Sequence, residues 1–381
     1  MSGTPARPVR LLYFVTEDWY FCSHRLPLAI AARQAGYEVA VVTRVNRHAD
    51  SIERAGLRLI PLDLSRGSHN PLADWRAFVA LYRILKRERP DILHNVALKP
   101  VLYGSLAARL AGVPHIVNAL AGLGHIFADQ HRAGRLRRIV QLAFRWLLKG
   151  RSQIIVQNPD DLRLLQESGA IVHGQATLIR GSGVDLERFR PTPEQDGMPV
   201  VTLASRLLWD KGVGEFVAAA GQLSQAGVAA RFVIVGEPDP ENHSSIPLAQ
   251  LHAWRDAGSV EWWGKREDMP AVLAQSHIVC LPSYYGEGVP KVLLEAAATG
   301  RPIVTTDMPG CREVVTDGEN GLLVPARDVS ALAQALERLI HNPQLRALMG
   351  EKGRRLAERE FGEVQVITRT LAVYRLLMPL A

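Results

Sequence analysis

Cysteine is scarce in this chain: Cys22, Cys280 and Cys311 are the only three in 381 residues, and none lies in a C-x-x-C pair or a Cys/His cluster. That excludes a disulfide framework and a structural zinc site, and it fits a reducing cytosol. Long apolar runs are also missing. None approaches the ~18 residues of a membrane-spanning helix. The apolar stretch LLYFV behind the N-terminal MSGTPARPVR is too short for a signal-peptide core. Aromatic residues make up only 6%, with no basic–aromatic platform on an expected strand, so no nucleic-acid partner is expected. A dinucleotide fingerprint is absent too. The turn after the first strand reads TEDWYFCS, without glycine, which argues against an oxidoreductase.

What is present is an ordinary globular balance, 47% apolar and 22% charged, at a length that suits two domains. The net charge of +7 is unevenly spread. Residues 1–184 carry 25 Lys+Arg against 13 Asp+Glu, whereas residues 185–381 carry 20 against 25. A basic half joined to a mildly acidic half implies different partners. Nucleic acid, an anionic membrane and a phosphorylated substrate all suit the basic one on charge alone.

Short β-branched runs alternate with helical stretches from end to end. The expected strands are 9–15, 37–43, 57–62, 91–96, 115–120, 153–158 and 176–180 in the first half. In the second they are 199–205, 231–236, 260–264, 277–282, 301–306 and 320–325. Leu26–Ala35 and Leu102–Ala111 read as Ala/Leu-rich helices behind their strands. Strand–helix–strand repetition predicts an α/β protein with parallel sheets covered on both faces, one Rossmann-like domain per half. The Gly- and Pro-bearing stretch 180–199 marks the boundary, giving domains 1–182 and 183–364. Ligands of such sheets sit beyond the carboxyl ends of the strands, so functional residues are expected in the loops that follow strands.

Three such loops carry the chemistry. SYYGEGVPKVLLEAAATGRP, 283–302, feeds a Gly-rich turn into a helix with Pro290 near its start. The free N–H groups of that helix start make an anion site. Glu287 stands in the turn and Glu295 further along the helix, both suited to accept hydrogen bonds from sugar hydroxyls. SRLLWDKG, 205–212, places Arg206 and Lys211 behind another strand, where two cations would stabilise a leaving diphosphate. WWGKREDMP, 262–270, offers Lys265 and Arg266 to flank a base or ribose.

These strings resemble family 4 glycosyltransferases of the GT-B fold, in which two Rossmann-like domains face each other across a cleft. The E-x7-E motif stands as Glu287–Glu295, S-R-L-x-x-x-K-G as Ser205–Gly212, and the hinge motif G-V-D-x-x-x-F as Gly183–Phe189. P-G-C-R-E-V-V and D-G-x-N-G-L-L-V follow downstream. The resemblance covers roughly residues 180–365. It implies a retaining enzyme that takes a nucleotide sugar, most often a UDP-sugar, and needs neither metal nor other cofactor. No D-x-D pair stands on a suitable loop. By resemblance Arg206 and Lys211 hold the donor diphosphate, Glu295 binds the ribose, and Glu287 contacts the transferred sugar with the Gly288 and Val289 amides close by. The leaving phosphate takes the acceptor proton. The C-terminal helix, 365–381, crosses back to the first domain.

The first half resembles the subgroup that extends glycans on polyprenyl diphosphate carriers for surface polysaccharides or glycoconjugates. The resemblance rests on TEDWYFCSHRLPLA (16–29), HNVALKPVLYGSLAARLAGVP (94–114) and NALAGLGHIF (118–127). His24, Arg25 and Lys99 are then candidates for the acceptor phosphates, with local capping or pairing as the alternative for His24 and Arg25. The family's histidine after the fifth strand has only His125 as a counterpart, a few positions late. Residues 131–153 form a basic amphipathic stretch. Phe144, Leu147 and Leu148 lie on its apolar stripe, Arg137, Arg138 and Arg145 on its flanks, and Trp146 off the stripe. It suits either an anionic membrane surface or packing against the sheet. Cytoplasmic placement at the inner face of the membrane follows. A sugar-nucleotide epimerase of the same fold and a non-catalytic sugar-binding protein remain as alternatives.

Overall fold

The computed structural model describes residues 7–64, 70–123, 142, 144–148 and 152–378. The chain divides into two compact units, Met1–Ser182 with Val364–Ala381, and Gly183–Glu363.

The first unit contains β1 (Arg10–Glu17), β2 (Glu38–Arg44), β3 (Arg58–Pro61), β4 (Ile92–Val96), β5 (His115–Ala119), β6 (Ser152–Val156) and β7 (Ala176–Leu178). They form one parallel sheet in the order β3-β2-β1-β4-β5-β6-β7. Alternation along β1 sends Leu11, Tyr13 and Val15 to one face, where they pack with the C-terminal helix Glu363–Leu377 and with Leu28, Ala29 and Ala32. Leu12 and Phe14 go to the other face, against the helices Pro71–Glu88 and Leu98–Ala111. Because both faces are covered, the strands read as continuous apolar runs.

The second unit contains β8 (Val200–Ala204), β9 (Arg231–Val235), β10 (Glu261–Trp262), β11 (Ile278–Leu281), β12 (Ile303–Thr306) and β13 (Gly321–Val324). The order is β10-β9-β8-β11-β12-β13, again parallel. In both sheets the first strand of its unit lies beside the fourth, so the order reverses between β1 and β4 and between β8 and β11. Loops leaving those pairs flank the crevice where doubly wound sheets take their ligands.

All thirteen expected strands are present, most of them shortened at their ends, whereas β1 runs on to Glu17 and β2 to Arg44. The helix behind β4 starts at Leu98 rather than Leu102, because Ala97 turns the chain at φ 72° directly after the strand. Three helices open on Asn-Pro, a signal the sequence reading passed over. The Asn70, Asn158 and Asn342 side chains accept from Leu72 N, Asp161 N and Leu345 N, and the proline takes the first helical position. The boundary stretch 180–199 is bound to the second unit for most of its length. Val184 pairs with Gly362, and Phe189 is buried. The fully buried Arg301 donates to Thr192 Oγ1 at 2.6 Å and to Leu273 O at 3.1 Å, and Arg346 forks onto Glu194 at 2.7–3.1 Å. Among the described residues no helix is long and apolar enough to cross a membrane.

Candidate functional site

The adjacency of β8 and β11 brings the loops 205–212 and 282–290 together. Gly212 makes this possible. It sits at φ 73°, and a Cβ there would lie 2.1 Å from the carbonyl oxygen of Pro282. The backbones are tied by Tyr284 N donating to Asp210 O at 3.1 Å, and Ser283 Oγ donates to Asp210 O at 3.1 Å. Across this seam Lys211 Nζ forms an ion pair with Glu287 Oε2, both side chains largely buried. The other carboxylate oxygen of Glu287 lies 2.8 Å from Ser283 Oγ, closer than Asp210 O, so the single hydroxyl proton serves one of these two acceptors at a time. Gly288 and Val289 follow in the buried part of the turn, and the helix Lys291–Ala298 begins directly behind Pro290. The N-terminus of the short helix Pro309–Arg312 closes on the same turn, with Gly310 against the Gly288 carbonyl.

Glu295 lies on the helix Lys291–Ala298, nearly buried, with Lys291 Nζ 3.8 Å from Oε1. Burial pushes its carboxyl up to about 7, against the opposing charges of Lys291 and Arg188. The consequence for stability has a definite sign. The benefit of a neutral buried carboxyl is intact below its ordinary value of 4.5 and is lost as pH rises through about 7. Glu295→Gln removes the titration. Its stability advantage over the wild type should therefore grow by ~3 kcal/mol between about pH 4.5 and about pH 8 in urea unfolding. A difference that does not change with pH would show that the buried carboxylate ionises without cost.

Arg206 is positioned by Asp239 of the loop after β9, Nη1 to Oδ2 at 2.7 Å. Gly236, at φ 139°, lets that loop approach, since a Cβ would lie 1.9 Å from Ser205 O. Arg266 forks onto Asp268 at 2.7 and 2.5 Å, with its guanidinium 6.0 Å from the centre of the Trp263 ring. The second unit thus joins Lys211 to Glu287 directly, and keeps Arg206 and Arg266 on acidic partners of their own.

In the first unit the candidates have different surroundings. His24 closes the helix Asp18–His24, stacked on Tyr20 at 4.1 Å with Nδ1 3.3 Å from Tyr20 O. Lys99, on the first turn of Leu98–Ala111, pairs with Asp74 at 2.8 Å. Arg25, between two helices, is 4% exposed, and its Nε has no hydrogen-bond partner among the described residues. Beside it lies a buried chain in which Tyr374 OH is hydrogen-bonded to Tyr13 OH (2.9 Å) and to His94 Nδ1. Burial first, and then the Arg25 charge, hold His94 well below the ordinary imidazole range. His125, Arg137 and Arg138 lie outside the described residues. Of the stretch 131–153, Phe144, Leu147 and Leu148 are buried in the core, while Arg145 and Trp146 are exposed.

Residues 198–342 match the family described as "Glycosyl transferases group 1", and residues 10–158 match "Glycosyl transferase 4-like". The N,N'-diacetylbacillosaminyl-diphospho-undecaprenol alpha-1,3-N-acetylgalactosaminyltransferase of Campylobacter jejuni is 30% identical over 336 residues, 84% of this chain and 87% of that protein. The chain is a family 4 glycosyltransferase. An Escherichia coli relative, UDP-Gal:alpha-D-GlcNAc-diphosphoundecaprenol alpha-1,3-galactosyltransferase, is 28% identical over 70% of this chain and 71% of its own. The sucrose-phosphate synthase of Thermosynechococcus elongatus shares the fold. Its TM-score is 0.79 at 20% identity, covering 97% of this chain and 99% of that one. The GT-B fold expected from the motifs is thereby borne out, and the epimerase and sugar-binding alternatives fall away.

Several groups around the glycosyltransferase's switch points escaped the sequence reading. Ser283 and Asp210 orient the Lys211–Glu287 pair. Arg327, at φ 63° behind β13, lays its guanidinium 4.3 Å from the centre of the Tyr284 ring. In the first unit Asp18, at the end of β1, is fully buried. Burial alone would raise its carboxyl, but the backbone N–H groups of His48, Asn46 and Trp19 outweigh that and hold it low. Asn95 Nδ2 and Ser105 Oγ both donate to Asn118 Oδ1, at 2.8 and 3.1 Å, so two asparagines of the subgroup-like strings form an internal polar bridge. The acidic residue directly after β1 was the one signal that pointed to Asp18.

Proposed function

We propose that this glycosyltransferase moves a sugar, with retention of anomeric configuration, from a UDP-sugar to a glycan carried on a polyprenyl diphosphate. It would work at the inner, cytoplasmic face of an anionic membrane, in surface polysaccharide or glycoconjugate synthesis. The observation that carries the reading is the Lys211–Glu287 pair at the β8/β11 switch point, one turn from the buried Glu295. The two relatives support the acceptor class, since both are named for undecaprenyl-diphosphate substrates, and one is named for UDP-Gal.

In this reading the second unit binds the donor. The diphosphate takes the Lys211 ammonium from Glu287 and adds Arg206, and both cations offset the charge that develops as the bond from the anomeric carbon to the phosphate oxygen breaks. Glu287, still held by Ser283, is released to accept from hydroxyls of the transferred sugar beside Gly288 and Val289. Glu295 accepts from the ribose, and Arg266 with Trp263 flanks the base. The acceptor hydroxyl bonds to the anomeric carbon from the face the diphosphate leaves, and its proton passes to the leaving phosphate oxygen. No metal is required in this scheme, because the two cations supply the positive charge. In the first unit the buried Arg25, whose Nε has no hydrogen-bond partner among the described residues, is the strongest candidate for the acceptor phosphates, with Lys99 at the neighbouring helix start and His24 and His125 as further candidates.

A thermal shift series with UDP, GDP, ADP and their sugars, with EDTA present, tests the donor. At 100 times its dissociation constant a ligand stabilises by about 2.7 kcal/mol. A shift with uridine nucleotides alone, lost in Arg206→Ala/Lys211→Ala, is the expected result. A shift only with another nucleotide, or only after a divalent metal is restored, would overturn the donor or the metal-independence respectively.

A further inference from the structure

We infer that Arg25 and His94 form a buried anion site beneath the carboxyl ends of β1 and β4, and that one phosphate group of the acceptor's diphosphate fills it. The choice of that phosphate rests on the acceptor class proposed above. His94 stands two residues before the end of β4, beside Tyr13 of β1, and is fully buried. Arg25 precedes the helix Leu26–Gln34 and is 4% exposed. Arg25 Nε and His94 Nε2 both lack a hydrogen-bond partner among the described residues. The Arg25 charge acts on Tyr13, His94 and Tyr374, so it lies close to all three.

The protons of this buried chain follow from counting donors and acceptors. His94 is held neutral, by burial first and by the Arg25 charge second, so its ring carries one N–H. The Tyr374 hydroxyl lies between Tyr13 OH, at 2.9 Å, and His94 Nδ1. When Tyr13 donates to Tyr374 and Tyr374 donates to Nδ1, both hydroxyl protons are used and the imidazole proton sits on Nε2. The opposite direction strands two groups among the described residues, the Tyr13 proton and the Nε2 lone pair. The first arrangement strands one, and is favoured. It leaves a buried imidazole N–H close to a buried guanidinium N–H.

Two unmet donors, one of them cationic, cost free energy where water is excluded. An oxyanion removes both costs, because it accepts from several donors at once and offsets the charge. The carboxylates at the end of β1 are engaged elsewhere. Glu17 meets Arg44 and Asn46, and Asp18 accepts from the backbone N–H groups of Trp19, Asn46 and His48. Lys99, the other cation of this edge, is balanced by Asp74. The helix Leu26–Gln34 adds the positive end of its dipole, since its N-cap residue is Arg25 and makes no side-chain cap bond. The β1/β4 switch point lies directly above, where a doubly wound sheet takes its ligand.

Inorganic pyrophosphate and farnesyl diphosphate are the probes, in calorimetric titration of the full chain with EDTA present. The substitutions are placed on Arg206→Ala/Lys211→Ala, so that the donor's cations cannot hold the probes, and both probes should bind that parent. Arg25→Met should weaken both by about 10²-fold and His94→Phe by about tenfold. Tyr374→Phe releases Nδ1, and with it the tautomer, so it should weaken them in the same direction by a smaller factor, and it serves if His94→Phe does not fold. In the otherwise wild-type chain without ligand, Arg25→Met should raise the melting temperature by about 5 °C, because a buried charge is removed without opening a cavity. An Arg25→Met protein that is less stable and still binds both probes would make Arg25 structural and overturn the inference. So would the absence of binding by the parent, which would leave water as the occupant. Binding of pyrophosphate without farnesyl diphosphate would give the site to free phosphate and overturn its assignment to the acceptor. Both probes binding in the expected pattern, with no transfer by the wild type to any prenyl-diphosphate glycan, would sink the acceptor class and leave the anion site standing.

Discussion

Lys211→Ala should lower the turnover number for sugar transfer by about 10²–10³-fold, the usual effect of removing one preorganised group from a site of developing charge. The loss should fall on kcat more than on KM, because a leaving diphosphate carries more charge in the transition state than in the bound donor. A structural effect has to be separated from this one. Lys211 and Glu287 pair in a largely buried seam, so removing the lysine leaves a carboxylate supported by Ser283 alone. That should cost on the order of 1–3 kcal/mol of stability. The double variant Lys211→Ala/Glu287→Gln removes the stranded charge. It should regain much of the lost melting temperature and none of the lost activity. Recovery of transfer along with stability would reduce the pair to a structural bridge and take the reaction away from this seam.

Gly310→Ala is expected to damage both fold and activity. A Cβ at this position would lie 1.5 Å from Gly288 O, 2.6 Å from Gly288 C and 2.9 Å from Glu287 O. These are backbone atoms of the turn that carries Glu287, so no side chain can swing aside. The turn or the helix Pro309–Arg312 must shift instead. Overpacking of this kind costs about 3 kcal/mol, which in a domain of this size lowers the melting temperature by roughly 10 °C. A displacement of about 1 Å in the Glu287 turn should reduce transfer a further ~10²-fold in the fraction that stays folded. Gly221→Ala is the control. This glycine sits in the helix Val213–Gln225 with nothing within 4 Å of a Cβ, and alanine there should stabilise by about 0.5–1 kcal/mol. A Gly310→Ala protein that melts and transfers like the wild type would show that the close approach is not maintained in solution.

The parts of this protein that were legible in its sequence are those set by local rules. β-Branched runs of four to eight residues, separated by helical patterns and turn glycines, give parallel strands buried on both faces. All thirteen were placed to within a few residues. The E-x7-E spacing lies within a single turn-and-helix unit. It was therefore enough to put Glu287 in the turn and Glu295 on the helix behind it. Ser205–Gly212 was likewise readable as a loop after a strand.

The residue pattern by itself could not decide which loops meet; only the family resemblance placed Lys211 and Glu287 on one donor. Lys211 and Glu287 are 76 positions apart, and Ser283 reaches Asp210 only because β8 lies beside β11. Strand order is a property of crossover connections and of the whole apolar core, and no local pattern encodes it. The same reason hid the capture of Arg206 by Asp239, of Lys99 by Asp74, and of the stretch 183–199 by Arg301 and Arg346. Burial was equally out of reach. Arg25 reads as one more cation after a strand, yet it is buried near enough to Tyr13, His94 and Tyr374 for its charge to act on all three, and its Nε has no hydrogen-bond partner among the described residues. Spacing along the chain marked the candidate residues. The order of the strands, and the solvent it removes, decided which of them stand together.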